Sequence, residues 1–269
     1  MNVKDKVIVV TGAGSGIGRQ LALTLIKKGA RVAAIDINGQ NLEETRKECK
    51  EKSTSLACFT LDITDHKAVK ELPEKVCGHF GQIDGIINNA GIIQPFIRVS
   101  ELEFETIKRV MDINFYGTIY MIKAFLPILT SRPEAYIVNI SSMGALVPVP
   151  GQVIYGASKS AVKLLTEGLI SELSDTTIKV SVVFPGAVNT NITANSGADE
   201  LPVNGGDKSP KSMKILSARE AAEIIISGVE KNKSRIIAGK DARFLDILSR
   251  LSPLTAAKLI YRHMANLLK

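Results

Sequence analysis

The chain contains few of the residues from which disulfide frameworks and metal sites are built. Its 269 residues include three cysteines and three histidines. The spacing of Cys49, Cys58 and Cys77 fits neither a zinc site nor a disulfide framework, and the histidines are scattered. Such a composition is typical of a reducing compartment. We therefore expect a cytoplasmic protein without a bound metal.

The sequence also lacks a dense block of lysine and arginine, although its formal net charge is +7. Binding to nucleic acid usually requires clustered cations. We expect no nucleic-acid partner. The cations predict a solvated basic surface that helps to attract an anionic ligand.

A signal peptide and an uninterrupted membrane span are missing as well. The N-terminal apolar run is short and leads directly into a glycine-rich turn. Residues 135–158 carry no charge, but two prolines and three glycines interrupt them. We interpret this stretch as a buried strand followed by an apolar loop.

Short β-branched runs alternate with amphipathic segments along most of the chain. The runs KVIVVTG, RVAAID and AYIVNISS predict strands, whereas GRQLALTLIKKGA and YGASKSAVKLLTEGLISEL predict helices. This alternation implies parallel βαβ units. The predicted fold class is α/β, with a doubly wound parallel β-sheet and helices on both faces, in one domain over residues 1–240.

Residues 190–215 break this alternation. The segment is polar, weakly periodic and rich in glycine and proline. A long excursion of this kind inside a compact domain is either a substrate lid or a disordered loop.

A glycine-rich turn, TGAGSGIG, lies between the first predicted strand and the first predicted helix. Gly12, Gly16 and Gly18 let the backbone turn tightly and approach a pyrophosphate, which the N–H groups of the helix N-terminus then bind. The alternative is a strand–helix turn without a ligand. The position of Asp36 at the end of the second predicted strand favours the ligand.

The carboxylate of Asp36 can accept hydrogen bonds from ribose hydroxyls, and it would repel a 2′-phosphate. Its neighbours Ile37 and Asn38 are not basic, and neither is Ser15 in the turn. We therefore predict NAD as the cofactor, with NADP less favoured.

Six motifs occur in one order along the chain: TGAGSGIG at 11–18, NNAG at 88–91, Asn114, Ser142, Tyr155-x-x-x-Lys159 and PGAVNT at 185–190. On these motifs the chain resembles the short-chain dehydrogenase/reductase family of the Tyr-x-x-x-Lys type, over residues 4–240. The resemblance implies a Rossmann-type fold and an NAD-dependent oxidoreductase. It also implies a homodimer or homotetramer.

Tyr155 and Lys159 leave one face of a predicted helix, one turn apart. A phenol with a pKa of about 10 is a poor base at neutral pH, but a neighbouring cation favours the phenolate. We predict that Lys159 lowers the pKa of Tyr155, which then exchanges a proton with the substrate as general acid and base. The resemblance adds that Lys159 holds the nicotinamide ribose.

Two more residues complete the predicted catalytic set. Ser142 follows the fifth predicted strand and can hydrogen-bond the substrate oxygen near Tyr155. Ser141 competes for this role, and the spacing of the family favours Ser142. Asn114 lies within a predicted helix, where asparagine is not preferred. The resemblance implies a kinked helix whose freed carbonyl anchors a water that contacts Lys159; a tolerated polar residue is the alternative.

The remaining cofactor contacts also follow from the resemblance. Asp62 and Ile63 are assigned to the adenine, Asn89 and Gly91 to the ribose side, and the PGAVNT motif to the carboxamide. The full predicted cofactor-binding set is Gly12, Ser15, Gly16, Ile17, Gly18, Asp36, Asp62, Ile63, Asn89, Gly91, Tyr155, Lys159, Val188 and Thr190.

The loops at 92–96 and 143–153 are uncharged and largely apolar. With the 190–215 segment they are expected to line the substrate pocket, next to Ser142 and Tyr155. They favour a lipophilic secondary alcohol or ketone as substrate, and ordinary core packing is the alternative. A non-catalytic NAD-sensing or scaffold protein is the alternative function, although such a protein would be expected to lack Tyr155, Lys159 or Ser142.

Residues 241–269 extend beyond the family core. They read as two amphipathic helices broken at Pro253. One predicted apolar stripe consists of Phe244, Leu245, Leu248 and Leu251, and the other includes Leu259, Ile260, Met264, Leu267 and Leu268. Three roles remain open, in this order of preference: packing on the domain or lid, a subunit interface, and peripheral contact with an anionic membrane.

Overall fold

A computed structural model of the chain describes residues 2–190, 192–197 and 215–264. Most of the 190–215 segment, together with Leu267 and Leu268, lies outside the described residues. The strands are β1 Val7–Thr11, β2 Arg31–Asp36, β3 Leu56–Thr60, β4 Gly85–Asn88, β5 Ala135–Ile140, β6 Ile178–Pro185, β7 Val188–Asn189, β8 Leu216–Ser217 and β9 Arg235–Ala238.

Seven strands form one parallel sheet in the order β3-β2-β1-β4-β5-β6-β9, and β7 pairs with β8 beside it. The order reverses between β1 and β4, which creates a crevice at the carboxyl ends of these strands. The predicted fold class is therefore confirmed.

Helices cover both faces of the sheet. They are α1 Gly16–Lys27, α2 Gly39–Glu48, α3 His66–Phe80, α4 Phe104–Met111, α5 Gly117–Thr130, α6 Val153–Glu172, α7 Ile192–Ser196, α8 Ala218–Glu230, α9 Lys240–Leu251 and α10 Pro253–Met264. A π-helical turn, Asp112–Tyr116, joins α4 to α5. Within the described ranges, none of the helices is long and apolar enough to cross a membrane.

Two hydrophobic cores lie on opposite faces of the sheet because successive strand residues point to opposite sides. Ile8 and Val10 of β1 belong to the core under α1, α2 and α8. Val7 and Val9 belong to the core under α3, α5 and α6. The sheet is thereby fixed from both faces, which holds its carboxyl edge in a defined position for the site.

A third, smaller cluster joins the C-terminal helices to the loop after β5. Leu245 of α9 and Ile260 of α10 are buried against Val147. The helix break at Pro253 is confirmed, since Pro253 is the first residue of α10. The predicted stripe of α9 is wrong in part: Leu245 is buried, whereas Phe244 and Leu251 are exposed. Leu245 lies about 100° around the helix from Phe244, so the two face different surroundings.

Candidate active site

A cleft of about 640 Å³ runs along the carboxyl edge of the sheet, across the reversal between β1 and β4. Most of the predicted site residues line it: Gly12, Ser15, Gly16, Ile17, Asp36, Asp62, Ile63, Asn89, Gly91, Ser142, Tyr155, Lys159, Val188 and Thr190. Gly18 and Asn114 do not line the cleft. They lie behind it and contact the lining residues Gly12 and Ile92.

The glycine turn forms one side of the cleft through its backbone. Gly12 and Gly16 have φ angles of +65° and +50°, a region that disfavours side chains. A Cβ atom on Gly18 would lie 1.9 Å from the Gly12 carbonyl oxygen, so only glycine allows this close approach. Helix α1 begins at Gly16, and its first N–H groups lack intrahelical partners. This cradle fits a pyrophosphate group.

Thr11 fixes the turn to the neighbouring strand end, a role that the sequence analysis missed. Its Oγ1 accepts hydrogen bonds from the backbone N–H groups of Asn89 at 2.9 Å and Ala90 at 3.0 Å. In return, the side-chain amide of Asn89 donates to the Thr11 carbonyl at 3.0 Å. The ends of β1 and β4 are thus locked together at the centre of the cleft.

Asp36 stands at one end of the cleft, where β2 ends. Its carboxylate accepts hydrogen bonds from the backbone N–H groups of Gly14 and Asn38, both at 2.9 Å. The side chain of Ile37 lines the same end and is 68% exposed. Since each carboxylate oxygen can accept a further hydrogen bond, Asp36 remains able to bind hydroxyl groups.

Arg19 is a basic residue near this end, and acidic neighbours neutralise its charge. Arg19 donates hydrogen bonds to the Gly14 carbonyl, and it forms ion pairs with Glu44 at 2.8 Å and Glu48 at 3.0 Å. Its guanidinium is therefore committed to α2.

Asp62 and Ile63 form the floor beside Asp36. One carboxylate oxygen of Asp62 accepts hydrogen bonds from the N–H and the hydroxyl of Thr64, both at 2.8 Å. Ile63 is 7% exposed and packs against Gly117, where a Cβ atom would lie 2.7 Å from its Cδ1. This wall therefore presents one polar and one apolar side chain, and the binding of an adenine ring requires both kinds of contact.

Tyr155, Lys159 and Ser142 converge at the other end of the cleft. Helix α6 carries Tyr155 and Lys159 one turn apart, and Ser142 follows β5. The Ser142 hydroxyl hydrogen-bonds the phenol of Tyr155 and accepts from the Gly144 N–H at 3.1 Å. The Nζ atom of Lys159 donates to the carbonyl of Ile140 at 3.0 Å. The predicted catalytic residues are brought together.

The two titrating groups differ from the predicted behaviour. Burial raises the pKa of Tyr155, and the hydrogen bond with Ser142 lowers it by less. The prediction that Lys159 lowers the pKa of Tyr155 is therefore wrong for the protein alone, because desolvation dominates. Burial also lowers the pKa of Lys159 to about 8. At neutral pH the phenol holds its proton, and most of Lys159 is cationic.

The two serines after β5 have different roles. Ser141 is buried, and its hydroxyl donates to the carbonyl of Lys159 at 2.8 Å, which fixes α6 to the end of the strand. Ser142 contacts the phenol instead. The structure therefore favours Ser142 over Ser141 as the group that contacts a substrate.

Asn114 lies in the π-helical turn and acts as a bridge between three segments. Its side-chain amide donates to the Ile92 carbonyl and to the Ser158 hydroxyl, both at 2.9 Å, and its Oδ1 accepts from the Ile92 N–H at 2.8 Å. A Cβ atom on Gly91 would lie 3.0 Å from Asn114 Oδ1 and from Lys159 Nζ. The helix irregularity is confirmed, and the proposed water link to Lys159 stays a prediction.

Gln94 is a second residue that the sequence analysis missed. Its side-chain oxygen accepts hydrogen bonds from the backbone N–H groups of Ile154 at 2.8 Å and Tyr155 at 3.0 Å. Its backbone carbonyl accepts from the side-chain amide of Gln152 at 2.7 Å. Gln94 is completely buried. It therefore caps α6 at the residue that carries the phenol.

The loop after β6, which carries Val188 and Thr190, is held by the C-terminal extension. The carboxylate of Asp241 accepts a hydrogen bond from the Ala187 N–H at 2.7 Å. A Cβ atom on Gly186 would lie 2.2 Å from the same carboxylate. This third missed residue gave no local sequence signal, because it is far from the loop along the chain.

The hydrogen-bonding groups of these residues and the shape of the cleft fit a nicotinamide dinucleotide. The glycine turn accepts a pyrophosphate, the Asp36 end accepts a nucleoside, and the opposite end offers a phenol, a hydroxyl and an ammonium around one point. A phenol and a hydroxyl at one point can bind a carbonyl or carbinol oxygen and exchange a proton with it.

Comparison with known proteins agrees with this fit. Residues 6–201 match the family model of the short chain dehydrogenases. The chain is 36% identical to the oxidoreductase SadH of Mycobacterium tuberculosis over 92% of this chain and 91% of that protein. It is 32% identical to the 1-deoxy-11-beta-hydroxypentalenate dehydrogenase of Streptomyces avermitilis, over 90% and 88% of the two chains.

Two solved structures share the fold and differ in the cofactor they contain. A short-chain dehydrogenase from Burkholderia phymatum in complex with NAD superposes with a TM-score of 0.80 at 23% identity, covering 100% of this chain and 97% of that one. A short-chain dehydrogenase from Burkholderia cenocepacia in complex with NADP has a TM-score of 0.78 at 26% identity, covering 97% and 99%. The chain belongs to the short-chain dehydrogenase/reductase family of oxidoreductases.

Proposed function

We propose that the protein is an NAD-dependent oxidoreductase that interconverts a lipophilic secondary alcohol and its ketone by hydride transfer. The observation that carries this proposal is the convergence of Tyr155, Lys159 and Ser142 at one end of a cleft whose other end presents Asp36. The cofactor, when bound, supplies or accepts the hydride. The residues of the chain bind, orient and handle the proton.

The predicted binding set assigns each part of the cofactor to a part of the cleft. The glycine turn would hold the pyrophosphate, and Asp36 with Asp62 and Ile63 would hold the adenosine. Lys159 and the NNAG segment would hold the second ribose, and Val188 with Thr190 would meet the carboxamide. The cleft is lined by Gly12, Ser15, Gly16 and Ile17 of the turn, by Asn89, Ala90 and Gly91 of the NNAG segment, and by Asp36, Asp62, Ile63, Lys159, Val188 and Thr190.

Tyr155 is the proposed general acid and base. Since burial raises its pKa, the phenol carries a proton at neutral pH and can donate it to a substrate carbonyl oxygen. Ser142 would hold that oxygen through a second hydrogen bond. Lys159 would favour the phenolate formed in the reverse direction, because an ammonium nearby stabilises a negative charge.

The preference for NAD rests on charge at the adenosine end. A 2′-phosphate placed there would face the carboxylate of Asp36. The nearby guanidinium of Arg19 is already paired with Glu44 and Glu48. Replacement of Asp36 by Asn removes the repulsion and keeps an acceptor for the Gly14 N–H. We expect the ratio of kcat/KM for NAD to that for NADP to fall about tenfold or more; an unchanged ratio would contradict this role of Asp36.

The proposed lipophilic substrate rests on the walls around the phenol. Ile92 and Ile93 of the loop at 92–96 line the cleft. Residues 143–153 do not line it, and Met143, Val147 and Val149 pack against the C-terminal helices instead, so the expectation that this loop lines the pocket is wrong. The name of the Streptomyces relative points to a terpenoid alcohol, which is a substrate of the same kind. A homodimer or homotetramer in the cytoplasm remains a prediction.

The test is a turnover panel that ranges from polyols to terpenoid and sterol alcohols, with NAD and with NADP. We expect activity with hydrophobic secondary alcohols and NAD. Tyr155→Phe should lower kcat by about a hundredfold or more while NAD affinity is retained. Tyr136→Phe is the matched control, because the Tyr136 hydroxyl bonds Asn232 away from the cleft.

Near-normal turnover by Tyr155→Phe would refute the assigned acid and base. Faster turnover of polyols than of hydrophobic alcohols would refute the substrate class. Binding of NAD without turnover of any alcohol or ketone would favour the non-catalytic alternative.

A further inference from the structure

The two C-terminal helices form a hairpin with two different faces. On the inner face, Leu245, Ala256 and Ile260 are buried against Val147 in the loop after β5. An ion pair also joins this face to β9, since Asp246 pairs with Arg235 at 2.5 Å. These contacts fix the hairpin to the domain, so its outer face stays on the surface of the protein.

The outer face exposes a set of large apolar side chains. Their exposed fractions range from 52% to 80%: Phe244 52%, Ile247 55%, Leu251 80%, Leu254 76% and Tyr261 58%. In α9 the first three are spaced by three and four residues, which places them on one stripe of the helix. Exposed patches of this kind mark an interaction surface more often than single exposed residues do.

The charges around this set have one sign. Five cations of the hairpin are exposed, Lys240, Arg243, Arg250, Lys258 and Arg262. Within residues 240–264 the acidic residues are Asp241 and Asp246. Both face inward, towards the Ala187 N–H and towards Arg235. The outer face therefore combines apolar side chains with a cationic border, in which Arg250 is paired with Asp246 at 2.6 Å.

We propose that the outer face of the hairpin binds an anionic lipid surface, with α9 and α10 lying in the plane of the interface. An amphipathic surface with apolar residues and cationic flanks is the form that such binding requires. A second copy of the chain fits less well, because a symmetric contact would bring two cationic borders together. The proposal does not depend on the proposed oxidoreductase activity.

The position of the hairpin determines which part of the protein would lie next to the lipid surface. The inner face packs on Val147, with Met143 and Val149 around it. These residues belong to the loop that begins beside Ser142. A lipid surface on the outer face would therefore lie one helix layer away from the loop that follows Ser142.

The experiment is co-sedimentation of the full-length protein with vesicles. We use phosphatidylcholine alone and phosphatidylcholine with about one third phosphatidylserine, at low and at high salt. We expect binding to the anionic vesicles at low salt, and a decrease of about tenfold or more at high salt or without phosphatidylserine. Oligomer size is measured in parallel by light scattering.

Two variants separate the apolar and the cationic contributions. Combined Phe244→Ser, Leu251→Ser and Leu254→Ser should weaken binding about tenfold or more, and so should combined Arg243→Gln, Lys258→Gln and Arg262→Gln. The matched control for charge is combined Lys67→Gln, Lys70→Gln and Lys75→Gln on α3, all exposed. This control should retain binding.

Several results would overturn the proposal. The wild-type protein could fail to sediment with anionic vesicles at low salt, or bind phosphatidylcholine equally well. The α3 control could lose as much binding as the hairpin variants. A smaller oligomer in the serine variant, without lipid binding by the wild type, would assign the face to a second copy instead.

Discussion

The two ends of the cleft are built by different means. At the cofactor end, the glycine turn shapes the site through its own backbone, and Thr11 joins this turn to the end of β4, 78 residues further along the chain. At the substrate end, the phenol and its surroundings are held by side chains that come from distant parts of the chain. Gln94 caps α6 and Asp241 holds the loop after β6. The backbone of the glycine turn is specified locally, whereas the substrate end depends on tertiary packing.

The largest expected effect is at the cofactor end. Gly18→Ala places a Cβ atom 1.9 Å from the Gly12 carbonyl oxygen, so the turn must open. We expect NAD binding to weaken by about a hundredfold or more, since the cradle depends on close backbone approach. Binding is measured by isothermal titration calorimetry.

Gly78→Ala in α3 is the control for this substitution. No atom lies within 4 Å of the Cβ position at Gly78, and alanine is the better helix former. The control should bind NAD normally and be stabilised by about 0.5 kcal/mol or more. Normal binding by Gly18→Ala would mean that the turn is less constrained than its geometry indicates.

Lys159 lies with Tyr155 at the substrate end, and its pKa makes the stability of the protein depend on pH. The pKa is about 8 in the folded protein and 10.5 ordinarily, so between these values the unfolded chain binds more protons. The free energy of unfolding should therefore rise with pH in this window. From pH 7 to pH 10 we expect Lys159→Met to lack about 2 kcal/mol of the rise seen in the wild type.

This difference is measured by urea unfolding of the two proteins without cofactor. The subtraction removes the contributions of the cysteines and of Tyr155, whose raised pKa values act in the opposite direction at higher pH. Parallel curves for the two proteins would show that Lys159 does not titrate in this window.

The last of the three effects concerns the cap of α6 and is similar in size to that of Lys159→Met. Gln94→Met removes the oxygen that accepts from the Ile154 and Tyr155 N–H groups and nearly preserves the volume. We expect a loss of about 2 kcal/mol in the free energy of unfolding, because two part-buried N–H donors lose their partner. Turnover should fall while NAD affinity changes little, since the cap lies at the substrate end.

Gln94→Glu keeps an acceptor oxygen at the N-terminus of the helix and should recover part of the lost turnover. Equal losses of turnover and NAD affinity in Gln94→Met would contradict the division between the two ends of the cleft.

The same division explains what could be predicted from the sequence. The strands and helices followed from local periodicity, and the glycine turn with Asp36 followed from residues that are close along the chain. Tyr155 and Lys159 were predictable as a pair because one helical turn joins them. Gln94 and Asp241 were not, because their partners lie 60 and 54 residues away.

Two other features depended on burial, which the sequence does not give. The pKa of Tyr155 was predicted from the neighbouring cation, but its direction is set by desolvation. The apolar residues of α9 were predicted as one stripe, but the loop after β5 and α10 cover only the part that contains Leu245. In both cases the residue types were interpreted correctly, but the sequence did not show which groups would surround them.

The contact between Asp241 and Ala187 also has a consequence for the order of biosynthesis. Strands β1 to β6 and the loop after β6 all precede Asp241, which follows Ala187 by 54 residues. The loop that carries Val188 is therefore translated well before the carboxylate that holds it.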